Sequence, residues 1–191
     1  MRLEHERCTL RPLRYSDMSA WRSVRLRNRD WLKPWDPTSE LSWPDRHSYL
    51  AFYRLRRDTR IAAAESRLLP FVIEHRGALV GQVNVGPIQW GPARTADLGY
   101  WVDEAVAGRG IAAVAVALAV RYSFDVGLHR VHAAIAPENA ASIRIAEKLG
   151  MRLEAHYRDY LDIDGKWRDH LGYSLTADDD LAPLSALLAD S

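Results

Sequence analysis

The sequence predicts a single domain of the mixed α/β class. Two observations predict it: segments with the two-residue period of strands alternate with longer segments of helical period, and the chain can bury one sizeable core. It has 191 residues, of which 48% are hydrophobic and 27% charged. We expect the domain to span residues 1–176 and a carboxyl-terminal tail, with a loose terminal helix, to cover residues 177–191.

The first half of the chain is predicted to contain two helices between its strands. Its segments are a strand over 8–13, a helix over 17–32, a loop over 33–43, a helix over 44–64 and strands over 69–75 and 78–87. The loop is predicted because Pro34, Pro37 and Pro44 interrupt helical structure. The two strands are expected to join at Arg76-Gly77.

The second half repeats the alternation of strand and helix. Its predicted segments are a strand over 96–102, a helix from Ile111 to near Gly127, a strand over 129–136 and a helix from the Asn139 cap to Gly150. The first helix has apolar residues at one-sided helical spacing from Ile111 to Tyr122. Asp164-Gly165 is typical of the tight turn of a final hairpin.

The segment before the longer helix has the properties of a phosphate-binding loop. The first turn of a helix leaves main-chain N–H groups unpaired and carries positive dipole charge, which attracts an anion. Ala107, Gly108, Arg109 and Gly110 enter this helix without a short side-chain acceptor. The glycines allow close approach to the main chain, and Arg109 adds charge. By itself the pattern also fits a plain tight turn with a solvated Arg109.

Two motifs together resemble the GNAT superfamily of acyl-CoA-dependent N-acetyltransferases. One is the loop Ala107-Gly108-Arg109-Gly110-Ile111-Ala112, and the other is Asn139-Ala140-Ala141-Ser142 followed by Glu147-Lys148-Leu149-Gly150-Met151. The resemblance implies a central twisted, mostly antiparallel sheet with helices on both faces. It departs from the superfamily pattern at Ala107, usually Gln or Arg, and at Ala146, where a tyrosine acid is common.

Further motifs resemble the RimJ/RimL-type N-terminal acetyltransferases within that superfamily. They are Asp30-Trp31-Leu32, the stretch from Ala96 to Trp101, Asp159-Tyr160-Leu161 and the stretch from Ile163 to His170. The resemblance extends from Thr9 to about Leu175. It implies acetyl-CoA as donor and a protein amino terminus as acceptor, which in the best-known members belongs to a ribosomal protein with an N-terminal alanine.

The resemblance also implies which residues bind the cofactor. The expected cofactor-binding residues are Trp101, Val102, Gly108, Arg109, Gly110, Ile111, Ala112, Ala113, Asn139 and Ser142. The strand at Trp101-Val102 is expected to diverge from the strand ending at Ala136, so that exposed main-chain groups pair with the pantetheine amides. Asn139 would be needed as a helix cap in any case.

Acetyl transfer to an amine needs a neutral nucleophile and a proton donor for the departing thiolate. Ser142 aligns with the serine that serves as acid in RimL-like enzymes, although it could be part of the Asn139 cap. Asp159 is the first candidate for the base and Asp97 the second. Either carboxylate could instead be a surface charge, and a water chain to solvent could also carry the proton.

Five aromatic residues are candidates for the acceptor pocket: Trp31, Trp35, Tyr100, Tyr160 and Trp167. Large aromatic residues are most often core residues, and these could be no more than that. Trp31 and Trp35 nevertheless lie near prolines in a loop, where regular packing buries side chains less readily. The seven histidines show no metal-ligand spacing, so no metal is expected.

Composition excludes several other classes of protein. Lys and Arg total 26 against 25 for Asp and Glu, so no overall positive field favours nucleic acid. The single cysteine, Cys8, excludes an internal disulfide. The first residues lack an apolar signal segment, and the longest apolar run is too short to span a bilayer, so we expect a cytoplasmic protein without membrane contact. Monomer and homodimer remain open.

Two alternative functions are compatible with the same sequence. The first is acetylation of a small-molecule amine or an antibiotic, because fold and donor site do not determine the acceptor. The second is a non-catalytic sensor that binds acyl-CoA. For an enzyme, direct attack in a ternary complex is expected, since Cys8 lies far from the motifs and no base adjoins it in sequence.

Overall fold

The structure is a computed structural model and describes residues 1–189. The last two residues of the predicted tail, 190–191, lie outside the described residues. The strands are β1 (Leu3–His5), β2 (Cys8–Arg11), β3 (Leu69–His75), β4 (Ala78–Val85), β5 (Thr95–Val102), β6 (Arg130–Ile135), β7 (Arg152–Ile163) and β8 (Lys166–Thr176). The helices are α1 (Met18–Arg27), α2 (Arg29–Leu32), α3 (Trp43–Arg46), α4 (Tyr49–Ala64), α5 (Ile111–Asp125), α6 (Ala140–Lys148) and α7 (Ala182–Ala189).

The eight strands form one sheet in the order β1-β2-β3-β4-β5-β6-β8-β7. Every neighbouring pair is antiparallel except β5 and β6, which are parallel. A parallel pair needs a crossover connection, and α5 supplies it. The mixed α/β class and the mostly antiparallel sheet are therefore confirmed.

Helices cover both faces of the sheet, as predicted. The larger core lies between the sheet and α5, α6 and α7, and it includes the fully buried Val114, Leu149 and Leu184. A smaller core lies under α1 and α4 around Trp21 and Phe52. The second group of helices packs over β3 and β4.

The helix predicted over 17–32 is interrupted at Asn28, which the sequence did not indicate. The side chain of Asn28 donates to the Val24 carbonyl at 2.8 Å and to the Asp103 carboxylate at 2.9 Å, and it accepts from the Glu104 N–H. Asn28 is buried, so these bonds hold it in place. Its long-range partners, remote in sequence, explain why α1 and α2 are separate helices.

The helix predicted over 44–64 is also two helices. Ser42 caps α3 by accepting from the Asp45 N–H, and Ser48 caps α4 by accepting from the Ala51 N–H. Serine at these positions satisfies N–H groups that would otherwise be unpaired. The structure also contains strand β1, which was not predicted and which pairs with β2 in a tight hairpin.

His47, between α3 and α4, is a buried histidine with a defined tautomer. Its Nδ1 atom lies 2.7 Å from the Trp43 carbonyl and must donate to it, while Nε2 accepts from Arg25 Nε at 2.8 Å. Burial and then the positive charge of Arg25 lower the pKa of His47 to about 4. Arg25 also donates to Asp36 at 2.6 Å, so neutral His47 helps to hold the loop after α2.

Acidification from about pH 6.5 to about pH 4 is therefore expected to lower the free energy of unfolding by about 2–3 kcal/mol through His47. In this range the unfolded histidine binds a proton and the folded one does not, so the stabilisation is complete above pH ~6.5 and is lost as the pH falls. Urea unfolding at several pH values measures it. His47→Asn should flatten the slope, whereas the exposed His156→Asn should not; equal slopes in both variants would contradict the assignment.

The terminal helix α7 packs against the rest of the domain. Leu184 is fully buried in the larger core, and Pro183 lies against Gly150 at the end of α6. The boundary at residue 176 stays a prediction. Within residues 1–189, no helix combines the length and the apolar character that a membrane span requires.

Candidate active site

Strands β5 and β6 pair at one end and separate at the other, which opens a cleft in the sheet. Their paired positions are Thr95 with Arg130, Ala96 with Val131 and Asp97 with His132. Beyond Asp97, β5 continues to Val102 without pairing to β6. The divergence predicted for these two strands is therefore present, with Asp97 and His132 at its vertex.

The register of β5 determines which main-chain groups face the cleft. Asp97 accepts from the Gly86 N–H and Asp103 donates to the Val80 carbonyl, so odd-numbered residues bond to β4. The N–H and C=O groups of Leu98, Tyr100 and Val102 consequently point towards β6, which does not pair with them. Of these, the Val102 carbonyl accepts from the Trp31 indole at 3.1 Å.

The side chain of Trp101 bonds to a residue of β4, which neighbours β5 on the edge away from the cleft. Its indole donates to Gln82 Oε1 at 3.1 Å, and the Trp21 indole donates to the same oxygen at 2.8 Å. The Arg25 guanidinium lies over the Trp101 ring. Trp101 and Val102 therefore border the cleft by position, and Val102 contributes its main chain to it.

The phosphate-loop candidate lies at the open end of this cleft. Gly108 and Gly110 have φ values of 75° and 77°, which glycine adopts without strain, and Gly110 is the N-cap of α5. No side chain among residues 1–189 caps this helix, so the N–H groups of Ile111, Ala112 and Ala113 remain available. Arg109 is exposed beside them.

A second arginine lies beside the same helix end. A Cβ atom at Gly110 would come within 2.9 Å of Arg7 Nη1, which places the Arg7 guanidinium next to the N-terminus of α5. Sequence reasoning missed Arg7, because it lies in the turn between β1 and β2 and no local pattern connects that turn with residue 110. Two guanidinium groups and a helix dipole therefore favour an anion here.

Asp103 fixes the strand end that precedes the loop. This buried carboxylate accepts from Arg27, from Asn28 Nδ2 at 2.9 Å and from the Ala105 N–H at 3.2 Å. Burial by itself raises the pKa of Asp103, but the hydrogen bonds from Arg27 and Asn28 outweigh burial and hold the pKa below its ordinary value. The charged form is therefore retained, and it joins the end of β5 to α1.

Asn139 and Ser142 lie at the start of α6, beside the cleft. Asn139 is the N-cap, and its Oδ1 accepts from the Ser142 N–H at 3.1 Å. The Ser142 side chain acts on the buried hydroxyl of Tyr100 and partly opposes the rise of its pKa, although the two groups do not form a hydrogen bond of good geometry. Burial nevertheless raises the pKa of Tyr100 to about 12. Both hydroxyl groups are thus protonated donors at neutral pH.

The structure places Tyr100 apart from the other aromatic candidates for the acceptor pocket. Tyr100 shares a face of β5 with Ala96 and Leu98, which pack in the core with α5 and α6. The opposite face carries Asp97 and Gly99, and a Cβ atom at Gly99 would meet nothing within 4 Å. The cleft therefore has a covered side next to Ser142 and an open side at Gly99.

The other four aromatic candidates lie in α2, in the loop after it and in the β7–β8 hairpin. The loop after α2 is attached to the tip of the β7–β8 hairpin: Thr38 donates to the Asp162 carbonyl at 3.0 Å, and Lys33 pairs with Asp164 at 2.9 Å. Trp35 lies between these two attachment points, and Trp167 follows the hairpin turn with 65% of its surface exposed. Trp31 lies nearer the cleft through its bond to Val102.

The two candidate bases have different surroundings. Asp97 lies at the cleft vertex, and its Oδ1 is 3.0 Å from His132 Nδ1. Asp159 lies in an irregular segment of β7 with φ of 47°, and its N–H donates to Asp169. Tyr160, next to it, stacks on Tyr157 with ring centroids 4.6 Å apart. Sequence reasoning did not select His132 for a role in catalysis, and no local pattern links it to Asp97, 35 residues earlier.

Two cavities elsewhere in the molecule do not belong to this cleft. The larger, of about 640 Å³, lies between α4 and the far end of α5 and is lined by Leu13, Phe71 and Tyr122. The smaller, of about 450 Å³, lies between α3 and the hairpin turn at Gly165. Among residues 1–189, no group of three or more His, Cys, Asp or Glu residues is placed to hold a metal ion.

Comparison with protein families gives a match that includes the glycine loop before α5 and the start of α6. Residues 7–152 match the acetyltransferase (GNAT) domain. The chain is 30% identical over 170 residues to the [ribosomal protein uS5]-alanine N-acetyltransferase of Escherichia coli, and the match covers 85% of each chain. It is 39% identical over 103 residues to the probable N-acetyltransferase YjcK of Bacillus subtilis, over 53% of this chain and 57% of that protein. The chain thus matches a little over half the length of YjcK.

Solved structures with the same fold cover nearly the whole chain. RimJ of Mycobacterium smegmatis, in complex with CoA-disulfide, superposes with a TM-score of 0.91 at 37% identity, covering 95% of this chain and 87% of that one. The ribosomal-protein-S5-alanine acetyltransferase of Vibrio fischeri superposes with a TM-score of 0.85 at 26% identity, covering 94% and 98%.

Proposed function

The chain belongs to the GNAT acetyltransferase family, and we propose that it transfers acetyl from acetyl-CoA to the amino-terminal α-amino group of a protein. The proposed acceptor is a ribosomal protein with an N-terminal alanine. The observation that carries this proposal is the similarity to the [ribosomal protein uS5]-alanine N-acetyltransferase of Escherichia coli over 85% of the chain, together with the similarity to RimJ over 95%. The RimJ structure is a complex with CoA-disulfide.

The residues of this chain fit coenzyme A. Gly108 and Gly110 open the N-terminus of α5 to a diphosphate, and Arg7 and Arg109 add positive charge. The part of β5 that pairs with β4 but not with β6, from Leu98 to Val102, is about 16 Å long at about 3.3 Å per residue, which suits an extended pantetheine arm. The bound thioester supplies an activated acetyl group, and the chain directs it towards the cleft vertex.

The open side of the cleft suits a polypeptide end. Asp97 at the vertex is exposed, and Gly99 leaves space for acceptor atoms. Trp31, Trp35, Tyr160 and Trp167 are proposed to line the approach of the acceptor and to offer aromatic faces, which attract a cationic α-amine. An extended amino terminus is therefore proposed to enter from this side.

Departure of the thiolate is assisted from the covered side. Ser142 is the proposed donor, with the Tyr100 hydroxyl next to it, since both remain protonated at neutral pH and adjoin the cleft. Acetyl transfer is proposed to be direct. Cys8 is buried in the core, and burial raises the pKa of its thiol to about 11, so it is a poor nucleophile.

The function is tested by mass spectrometry of peptides incubated with the protein and acetyl-CoA. A peptide that begins with alanine should gain one acetyl group on its α-amine, whereas the same peptide with a blocked amino terminus and a free lysine should not. Small amines and aminoglycosides form the comparison set. Faster acetylation of any of these than of the peptide would overturn the proposed acceptor class, and absence of all turnover would favour a sensor.

Filling the space at Gly99 is expected to impair the acceptor site alone. Gly99→Leu adds a side chain where a Cβ meets nothing within 4 Å, so it should not strain the fold. We expect the KM for the alanine peptide to rise about 10-fold, a loss of about 1.4 kcal/mol of binding, while the Kd for coenzyme A, measured by calorimetry, stays unchanged. Gly99→Ala is the graded control and should have a smaller effect. An unchanged KM in Gly99→Leu would show that the acceptor enters elsewhere.

A further inference from the structure

The vertex of the cleft carries a chain of three polar side chains from three strands. Asp97 on β5 accepts from His132 Nδ1 on β6 at 3.0 Å, and His132 Nε2 lies 3.5 Å from the Tyr157 hydroxyl on β7. Asp97 and His132 are the last paired residues before the strands separate. The imidazole is therefore located where β5 and β6 begin to open.

The orientation of Tyr157 is built into the sheet. β8 lies between β6 and β7, so Tyr157 must reach across it. Gly172 on β8 makes this possible, since a Cβ there would lie 2.6 Å from Tyr157 Cε2. Tyr160 stacks on the Tyr157 ring, with ring centroids 4.6 Å apart. Glycine at this position thus allows the tyrosine ring to lie against the strand and to direct its hydroxyl at His132.

The hydrogen bond to Asp97 determines which nitrogen of the His132 ring carries the hydrogen. With Nδ1–H donated to the carboxylate, Nε2 carries the lone pair of the ring, and this lone pair faces the Tyr157 hydroxyl. The side chain of His132 is 16% exposed. Besides Asp97, whose carboxylate contacts the His132 ring, the groups that face the ring are Tyr157 and Ser174. Tyr160 and His170 lie beyond them.

We propose that His132 is the general base of the transfer, held by Asp97 and bordered by Tyr157, and that its Nε2 atom takes a proton from the acceptor amine. This proposal rests on the proposed function. The α-ammonium loses one proton to Nε2, and the proton then passes to solvent. The neutral amine forms the C–N bond to the acetyl carbon as the C–S bond breaks, and its second proton ends on the departing sulfur. Asp97 is a positioning residue that stabilises the charged ring.

The pH dependence of His132→Gln separates a base from a structural residue. Only about a tenth of an α-amine with a pKa of ~8 is neutral at pH 7, so loss of the base should lower kcat/KM for the alanine peptide about 10-fold or more. At pH 9.5 the amine is neutral without help, and the ratio of wild-type to variant kcat/KM should approach one. A purely structural defect would keep this ratio constant, which would overturn the proposal.

Three further variants complete the test. Asp97→Asn should show a smaller loss with the same convergence at high pH, because the ring keeps a partner but loses the charge beside it. Asp159→Asn should not alter the pH dependence; if it reproduces the His132 profile, Asp159 is the base and the proposal fails. His129→Gln, which breaks a separate histidine–carboxylate pair with Asp178 at 3.7 Å, is the matched control and should behave as wild type.

The result also distinguishes the two proposals from each other. Calorimetry with coenzyme A and thermal unfolding establish that each variant is folded and binds the donor. If wild type acetylates the peptide and His132→Gln is equally active at pH 7, only the inference about His132 is wrong. If wild type acetylates no peptide but acetylates a small amine, the proposed function is wrong, and the same pH comparison with that amine still tests His132.

Discussion

Replacing Gly108 by Asp is expected to weaken coenzyme A binding by about 100-fold without unfolding the protein. Gly108 has φ of 75°, a conformation that Asp tolerates better than most residues, and a Cβ there meets nothing within 4 Å. A carboxylate about 6 Å from one phosphate charge costs about 3 kcal/mol at an effective dielectric constant of 20. Calorimetry with coenzyme A measures the affinity.

Two controls separate charge from backbone strain. Gly108→Asn has nearly the same shape and no charge, so its affinity should lie between those of wild type and Gly108→Asp. Gly165→Asp is matched in conformation, with φ of 80° and nothing within 4 Å, but it lies in the β7–β8 turn. It should cost similar unfolding free energy and leave the affinity for coenzyme A unchanged. Equal affinity of Gly108→Asp and wild type would show that the diphosphate does not bind at α5.

Replacing Asp17 by Ala is expected to lower the free energy of unfolding by about 3–5 kcal/mol. Asp17 and Arg11 are both buried, and two hydrogen bonds of 2.8 and 2.9 Å join them. Asp17 also accepts from the Arg14 N–H at 2.7 Å. Removal of the Asp17 carboxylate leaves the Arg11 guanidinium with one carboxylate partner, Glu74, whose Oε2 lies 2.7 Å from Arg11 Nε. Since domains are stable by only about 5–15 kcal/mol, this loss is large. Urea unfolding followed by circular dichroism measures it.

An exposed ion pair provides the comparison for Asp17. Asp125 pairs with Arg121 on the surface of α5 at 3.3 Å, and Asp125→Ala should cost less than about 0.5 kcal/mol. Asp17→Asn keeps the shape of the side chain and some hydrogen bonds, so it should lie between the two. If Asp17→Ala costs no more than Asp125→Ala, the buried pair does not contribute to stability as proposed.

The uncapped helix end at Gly108 and Gly110 could be predicted because its physics is local. A glycine at positive φ, the missing side-chain cap and the helix that follows are all properties of one short segment around Gly108 and Gly110. The Asn139 cap of α6 is local in the same way, and the structure contains its bond to the Ser142 N–H. The hairpin turn at Asp164-Gly165 was predicted for the same reason.

Contacts between remote segments could not be predicted from these patterns. Asn28 interrupts a helix of continuous helical period because Asp103, 75 residues later, accepts from its side chain. The Trp31 indole bonds to the Val102 carbonyl over a similar separation. Tyr100 was grouped with the acceptor pocket, and only the pleat of β5 places it on the opposite side, beside Ser142.

By itself the sequence determined the mixed α/β class, the order of most helices and strands and the helix end that suits a diphosphate, because helical period, strand alternation, caps and turns depend on residues a few positions apart. The tertiary structure alone decided that β5 and β6 separate after Asp97 and that Asp97, His132 and Tyr157 meet there. The reason is physical: strand register and burial bring together residues that the chain separates by tens of positions, and no local energy encodes that encounter.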